Sequence, residues 1–259
     1  MKIALIQEKQ NELYQFGRND ILFTQEQARF FQKEMEEQNL SLLRTASSEG
    51  CDLLVTSEAF NYAGQPGKID CPYKALIPEL TDSLFEELSL IARQGRCYLA
   101  AGVLRKEKVL GSDRLYNSIC FYGRDGKLLS VYDKIHLAGE ENDFLTPGKE
   151  YQVVETDYGR VGMAVCWDMQ FPETSRCLAR AGADLLAVPT WGWEESYGHV
   201  RACKNRLYIA ATMAVPFEEP IEGLRTPSEV VSPAGEVLTR GSRTKEEVVY
   251  CRIPDIRKR

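Results

Sequence analysis

Hydrophobic and polar positions along the 259-residue chain alternate between short continuous apolar runs and longer runs of helical spacing. The first strand is predicted at Lys2-Ile-Ala-Leu-Ile-Gln7, followed by a polar, poorly patterned stretch from Glu8 to Thr24. A helix is predicted over Gln25 to Ser48, with Phe31, Met35, Leu42 and Ala46 near one face and charges on the other. Gly50 ends it, and Cys51-Asp-Leu-Leu-Val-Thr56 reads as a short buried strand. After a Gly- and Pro-broken loop over Asn61 to Pro78, a second helix runs from about Thr81 to Gly95, and Cys97 to Leu104 is again a buried strand. Tyr116 to Tyr122 and Leu128 to Tyr132 form a hairpin, whose Arg124-Asp-Gly-Lys127 connection suits a type I′ turn.

The second half repeats the theme. Strands are predicted at Tyr151–Glu155 and from Arg160 to Cys166. A helix then runs to Gly182, followed by a strand at Asp184–Pro189, a helix from about Ser196 to Tyr208 and a strand at Ala210–Val215. Glu229 to Leu238 reads as strand, turn, strand, echoing Ser118 to Leu129. Strand–helix units followed by hairpins in both halves, with no linker between them, predict one α/β domain over residues 1–259 built from two similar halves.

Composition narrows the function classes. Apolar residues make up 44% and charged residues 27%, as in a globular protein, and the net charge of −6 lacks the basic stripe of a nucleic-acid surface. No segment approaches a membrane span, and no apolar leader precedes the first strand. Eight cysteines without a C-x-x-C pair predict reduced thiols and a cytoplasmic location. Two histidines, His136 and His199, leave little scope for His-based zinc sites. The G-x-S-x-G, G-x-G-x-x-G and Walker-type signatures are absent.

Chemistry concentrates at strand ends. In Val161-Gly-Met-Ala-Val-Cys-Trp-Asp-Met-Gln-Phe-Pro-Glu173, a buried strand delivers Cys166 and Pro172 opens a helix. Positive partial charge at that helix start would favour a thiolate. Glu58 and Lys134 also stand at the ends of predicted buried strands, and the intervals from Glu58 to Lys134 and from Lys134 to Cys166 are 76 and 32 residues. Taken singly, each reads as an ordinary core cysteine, loop carboxylate or strand-end charge. Together they form a chemical set: a thiol nucleophile, a carboxylate that takes its proton and hands it to a leaving amine, and a cation for an oxyanion.

Three motifs in order carry a family resemblance: Asp52-Leu-Leu-Val-Thr-Ser-Glu58, Tyr132-Asp-Lys-Ile-His-Leu137 and the Cys166 stretch. Lys2–Gln7, Tyr116-Asn-Ser118, Thr146-Pro-Gly148 and Gly182–Leu185 also match. The chain resembles the nitrilase superfamily of carbon–nitrogen hydrolases, in its amidase-like branch. The resemblance implies a four-layer α-β-β-α sandwich, a homodimer or higher homo-oligomer, a Glu58–Lys134–Cys166 triad, and no metal or organic cofactor. It also implies a second glutamate after the lysine motif, where Glu141 fits better than Glu140, and an oxyanion contact from the Trp167 amide.

The expected activity is hydrolysis of a small linear amide through a Cys166 thioester, with ammonia released. Hydrolysis of an N-carbamoyl amine or amino acid, or a catalytically silent metabolite-binding role, are the alternatives. Many amidases of this group carry Cys-Tyr-Asp-Leu-Arg-Phe-Pro, whereas this chain has Trp167, Met169 and Gln170 in place of the Tyr, Leu and Arg. Substrate choice is therefore open. Trp191 and Trp193 either wall a small apolar pocket or fill core. Arg201 is expected as a surface helix charge rather than a grip on a substrate carboxylate. His136 is expected to orient the site, and Lys204-Asn205 to support it structurally.

Overall fold

The structure is a computed structural model, and it describes residues 1–11, 23–61, 76–192, 194–215 and 226–256. In chain order the first half runs β1 (Lys2–Gln7), α1 (Gln25–Ser48), β2 (Leu53–Thr56), α2 (Ser83–Gly95), β3 (Tyr98–Val109), β4 (Ser112–Tyr122) and β5 (Leu128–Asp133). The second half runs β6 (Val153–Thr156), β7 (Gly159–Met163), α3 (Pro172–Arg180), β8 (Leu185–Thr190), α4 (Glu195–Asn205), β9 (Tyr208–Met213), β10 (Glu229–Val231), β11 (Val237–Arg240) and β12 (Glu247–Arg252).

Two six-stranded sheets result, in the orders β12-β1-β2-β3-β4-β5 and β6-β7-β8-β9-β10-β11. The halves repeat one strand pattern: β1-β2-β3 and β7-β8-β9 are parallel, joined by crossover helices, and each trio continues into an antiparallel hairpin. An antiparallel strand closes the outer edge of each trio, β12 beside β1 and β6 beside β7. The last strand thus completes the first sheet.

Alternation along the strands sorts the side chains into layers. Ile3, Leu5, Leu53 and Val55 face Val161, Met163, Leu185 and Ala187 between the sheets. Ala4, Ile6 and Leu54 face α1 and α2, while Ala164, Leu186 and Ile209 pack under α3 and α4. The arrangement is the expected α-β-β-α sandwich. Because every central strand is buried on both faces, its sequence reads as a continuous apolar run rather than an alternating one.

Local chemistry sets the element ends. Thr24 caps α1 with a full capping box, its hydroxyl accepting from the Gln27 N–H while the Gln27 side chain accepts from the Thr24 N–H. The buried stripe of α1 includes Ala28, Gln32, Met35, Asn39, Leu43 and Ala46, so Met35 and Ala46 lie where expected and Phe31 and Leu42 at the margin. Two polar residues in that stripe serve the loop behind Glu58. Gln32 donates to the Asn61 carbonyl at 3.0 Å and Asn39 to the Phe60 carbonyl at 2.8 Å. Pro172 occupies the first turn of α3, where its missing N–H is harmless.

Two hairpins differ from expectation. The Arg124–Lys127 connection is not a type I′ turn: only Gly126 has positive φ (+82°). Its Gly126 N–H bonds back to Gly123 and the Gly123 N–H to Lys127, so a four-residue loop absorbs the turn. Positive φ at two successive residues occurs instead at Leu110 (52°) and Gly111 (82°), in the tight connection between β3 and β4. That hairpin extends beyond the predicted strands, since Arg105–Val109 and Ser112–Leu115 are too polar to register as buried strand.

The sheets approach closely near the strand ends. A Cβ at Gly102 of β3 would run into the Ser57 carbonyl oxygen and lie 2.6 Å from the Pro189 Cβ of the opposite sheet. Neither neighbour can yield without moving backbone. Gly102→Ala is expected to cost about 1–3 kcal/mol of overpacking, read as a lower urea midpoint with an unchanged slope. A midpoint equal to wild type would show the sheets are looser there than described.

Candidate active site

Three strand ends from two sheets converge. Glu58 follows β2, Lys134 follows β5, and Cys166 follows β7 after Ala164 and Val165. Glu141 lies on a 3-10 turn, Gly139–Asp143, downstream of Lys134. Lys134 is only 1% exposed. Its ammonium bonds Glu58 Oε1 at 2.8 Å and Glu141 Oε2 at 2.8 Å. Burial opposes the charge on Lys134, but the negative partners, Glu58 first, outweigh it and hold its pKa above the usual lysine value. The Glu140 side chain lies outside the described atoms, whereas Glu141 occupies the second carboxylate position.

Backbone contacts fix this cluster. The Lys134 N–H donates to the Asn117 carbonyl at 2.8 Å, and the Lys134 carbonyl accepts from Gly148 at 2.9 Å. A Cβ at Gly148 would collide with the Asp133 carbonyl, which accounts for glycine in the Thr-Pro-Gly match. Glu141 Oε2 also accepts from the Ala138 N–H at 2.7 Å, closing its own turn. Asn117, which the sequence reading passed over as part of a supporting match, donates to Glu58 Oε1 at 2.7 Å and to Glu141 Oε1 at 3.0 Å.

Cys166 begins a second 3-10 turn, Cys166–Gln170, with φ of +43°. A non-glycine residue there is strained, and such strain persists only where the surroundings over-determine it. Asp168 supplies that constraint. It is fully buried and accepts from the Tyr132 hydroxyl at 2.7 Å, the Val165 N–H at 2.9 Å and the His136 N–H at 3.0 Å. The His136 ring lies 2.9 Å from Asp168 and stacks on Phe171 at 4.0 Å. Thus the lysine segment and the cysteine turn are clamped through one carboxylate, with His136 in the orienting place expected of it. Asp168 itself was missed; its only signal was an acidic residue inside an otherwise apolar turn.

The thiol donates to the Gly192 carbonyl at 3.9 Å. Burial, then the Glu58 charge, pushes the Cys166 thiol up to about 11, against the pull of Lys134, Thr190 and the Trp191 backbone. The expectation of a thiolate favoured by a helix start is therefore overturned. Desolvation and a neighbouring carboxylate outweigh the partial charge of a short turn, and near neutral pH Cys166 rests as the thiol.

The aromatic and helical residues divide. Trp167 is 42% exposed, and its backbone N–H belongs to the first turn of a 3-10 segment, where intrahelical acceptors are lacking. Trp191 reaches Cys166 through its backbone, and Trp193 lies outside the described residues. Arg201 is not a plain surface charge: it donates to the Gln170 carbonyl at 3.1 Å, tying α4 to the end of the cysteine turn. Asn205 bonds Ser175 at 3.1 Å and so joins α4 to α3, as expected. His199 pairs with buried Glu229 of β10 at 3.0 Å. No group of three or more His, Cys, Asp or Glu residues suited to a metal occurs among the described residues. The seven described cysteines are unpaired, and among the described residues no helix is long and apolar enough to cross a membrane.

The thiol's environment yields an expected outcome for Glu58→Gln. Removing the carboxylate charge leaves Lys134 to act on Cys166, so the thiol titrates below about 11. Alkylation of Cys166 by iodoacetamide at pH 8 then rises, by about tenfold for each pKa unit, while any Glu58-dependent turnover falls. Slower alkylation than in wild type would contradict this electrostatic picture.

Residues 4–258 match the family model for carbon–nitrogen hydrolases. The chain is 31% identical to human omega-amidase NIT2 over 240 residues, covering 84% of this chain and 82% of that protein. It is 33% identical to a nitrilase of Pyrococcus abyssi over 215 residues, covering 80% and 78%. Among solved structures, an amidase from Nesterenkonia sp. is similar with a TM-score of 0.76 at 25% identity, covering all of this chain and 93% of that one. Saccharomyces cerevisiae Nit3, of the nitrilase superfamily, shares the fold with a TM-score of 0.77 at 22% identity, covering 97% and 89%. With a family match across nearly its whole length, the chain belongs to the carbon–nitrogen hydrolase family.

Proposed function

We propose that this protein is an amidase that hydrolyses small linear amides through a thioester on Cys166, releasing ammonia. The observation that carries the reading is the buried Lys134 ammonium shared by Glu58 and Glu141 beside a neutral thiol. A thiol at rest needs a base, and Glu58 is the carboxylate whose charge acts on the sulfur. The similarity to omega-amidases and to a bacterial amidase supports an amide substrate.

The proposed steps use the residues of this cluster. Glu58 takes the Cys166 proton as Sγ attacks the amide carbon. The carbonyl oxygen gains negative charge. Lys134 has three N–H donors, two of them committed to the glutamates, which leaves the third for that oxygen. The Trp167 amide is the second donor. The C–N bond breaks as Glu58 returns the proton to nitrogen, and ammonia leaves. Water then gives a proton to Glu58 and attacks the thioester; the C–S bond breaks, the acid departs, and Glu58 reprotonates Cys166. Glu141 fixes Lys134 and borders the path of the water. The reading extends to a substrate wall formed by Trp167, Trp191 and Trp193 and to assembly as a homodimer.

Ammonia release over a panel of ω-amides, aliphatic amides, nitriles and N-carbamoyl compounds identifies the class. Amides are expected to turn over, and carbamoyl compounds alone would favour the carbamoyl alternative. Cys166→Ala is expected to lower the rate by at least about 10³-fold, in line with loss of a covalent nucleophile, while retaining the wild-type urea midpoint. Substantial residual turnover in that folded variant would sink the assignment.

A further inference from the structure

Asn117 makes contacts that its place in mid-strand does not require. It sits in β4 and is 2% exposed. Its backbone carbonyl receives the Lys134 N–H, so it fixes the strand end that carries the ammonium. Its side-chain nitrogen divides its two hydrogens between Glu58 Oε1 at 2.7 Å and Glu141 Oε1 at 3.0 Å. One residue therefore touches Lys134, Glu58 and Glu141 together.

The other side of the amide confirms the orientation. Asn117 Oδ1 is buried and has no hydrogen-bond partner among the described residues. Rotating the amide by half a turn would aim that oxygen at two carboxylates, which is worse than leaving it unpaired. A buried carbonyl without a donor is costly, and proteins retain such groups where something else requires them. Here the requirement is a donor shared by both glutamates.

The bonds on Glu58 are also lopsided. Lys134 and Asn117 both donate to Oε1, and among the described residues no donor reaches Oε2. A proton arriving from Cys166 consequently goes to Oε2, and neither donor has to leave Oε1 to admit it. A carboxylate held by charge-assisted bonds on one oxygen keeps its orientation through the whole proton cycle.

We propose that Asn117 is a positioning residue that holds both glutamates in register and directs the travelling proton to Glu58 Oε2. The proposal rests on the amidase reading for its place in the reaction. Other charged and titratable groups acting on Glu58 are Lys134 and Cys166, with Glu141 across the shared ammonium. Removing the amide leaves them in place but takes from each carboxylate a donor that favours its charged form. The acid limb of the pH profile then moves to higher pH. Asn117→Asp sets a third carboxylate against the first two and moves it further. Asn117→Ser retains one small donor and falls between wild type and Asn117→Ala.

The test measures two profiles on the full-length protein and these three variants, each checked for wild-type circular dichroism. One is kcat/KM against pH for the best amide substrate. The other is the rate of Cys166 alkylation by iodoacetamide against pH, followed by mass spectrometry of the Cys166 peptide. The expected result is an acid limb displaced upward by about one pH unit in Asn117→Ala, a tenfold loss on its acid side. The alkylation profile follows the thiol rather than Glu58, so it is expected to move to higher pH only in Asn117→Asp, whose added charge disfavours the thiolate. An acid limb of kcat/KM that stays at the wild-type pH in Asn117→Ala, with activity reduced equally at every pH, would overturn the proposal and leave Asn117 a packing residue. Should Asn117→Asp not fold, the acid limbs of Ala against Ser decide the matter. If the wild type turns over no amide, the amidase reading fails, and an alkylation profile of Asn117→Asp unmoved from wild type would overturn the placement of Asn117 against the cluster.

Discussion

A lysine ammonium buried to 1% exposure governs this molecule's chemistry. An isolated charge in that place would be too costly to keep, and such a lysine would ordinarily lose its proton. Lys134 stays charged because two carboxylates meet it at 2.8 Å each. The carboxylates in turn stay together because the ammonium stands between them and the Asn117 amide donates to both. Breaking any member leaves a buried charge uncompensated, so the cluster behaves as a unit rather than as separate pairs. Cys166 lies within its field, where the nearest carboxylate and the ammonium pull in opposite directions and burial tips the balance toward the neutral thiol.

The repeated fold explains how residues so distant in sequence meet. Each half presents parallel strands whose C-terminal ends point to the same rim, where α/β sheets gather their sites. The halves use that rim unequally. The first supplies the charged groups, from the ends of β2 and β5 and from the turn after β5, with the Asn117 amide from β4. The second supplies the nucleophile after β7 and the backbone around it after β8. Asp168 joins the two contributions, since its donors come from the lysine segment on one side and the cysteine turn on the other.

Much of this was legible in the sequence, for definite physical reasons. Strands buried on both faces leave uninterrupted apolar runs, so β2 and β8 could be placed closely, and helical spacing closed by Gly50 reproduced the limits of α1. Glu58 and Cys166 stood out because each follows such a run at its end, whereas β5, expected as a buried strand, is half-exposed, so Lys134 stood out only in their company. The legibility ended where side-chain geometry decides. An asparagine inside a strand and an aspartate inside a turn carry no periodic signal, so Asn117 and Asp168 emerged only once their partners were visible. The thiolate expectation failed for a related reason: a helix start can be read from Pro172, but the desolvation around Cys166 cannot. β12 escaped notice because Glu247–Arg252 alternates weakly at a sheet edge, and its pairing with β1 spans almost the entire chain.

The most direct test of the charge cluster is the stability of Lys134→Met as a function of pH, by urea unfolding. Methionine fills similar space without charge, leaving Glu58 and Glu141 facing each other in the buried site. The account predicts a loss of about 3–5 kcal/mol near pH 8, as for one broken buried ion pair. That loss shrinks as pH falls and the facing carboxylates take up a proton, because protonation removes the repulsion in the variant and not in the wild type. A loss that is absent, or that stays constant from pH 8 to pH 5, would contradict the shared ammonium as the centre of this site.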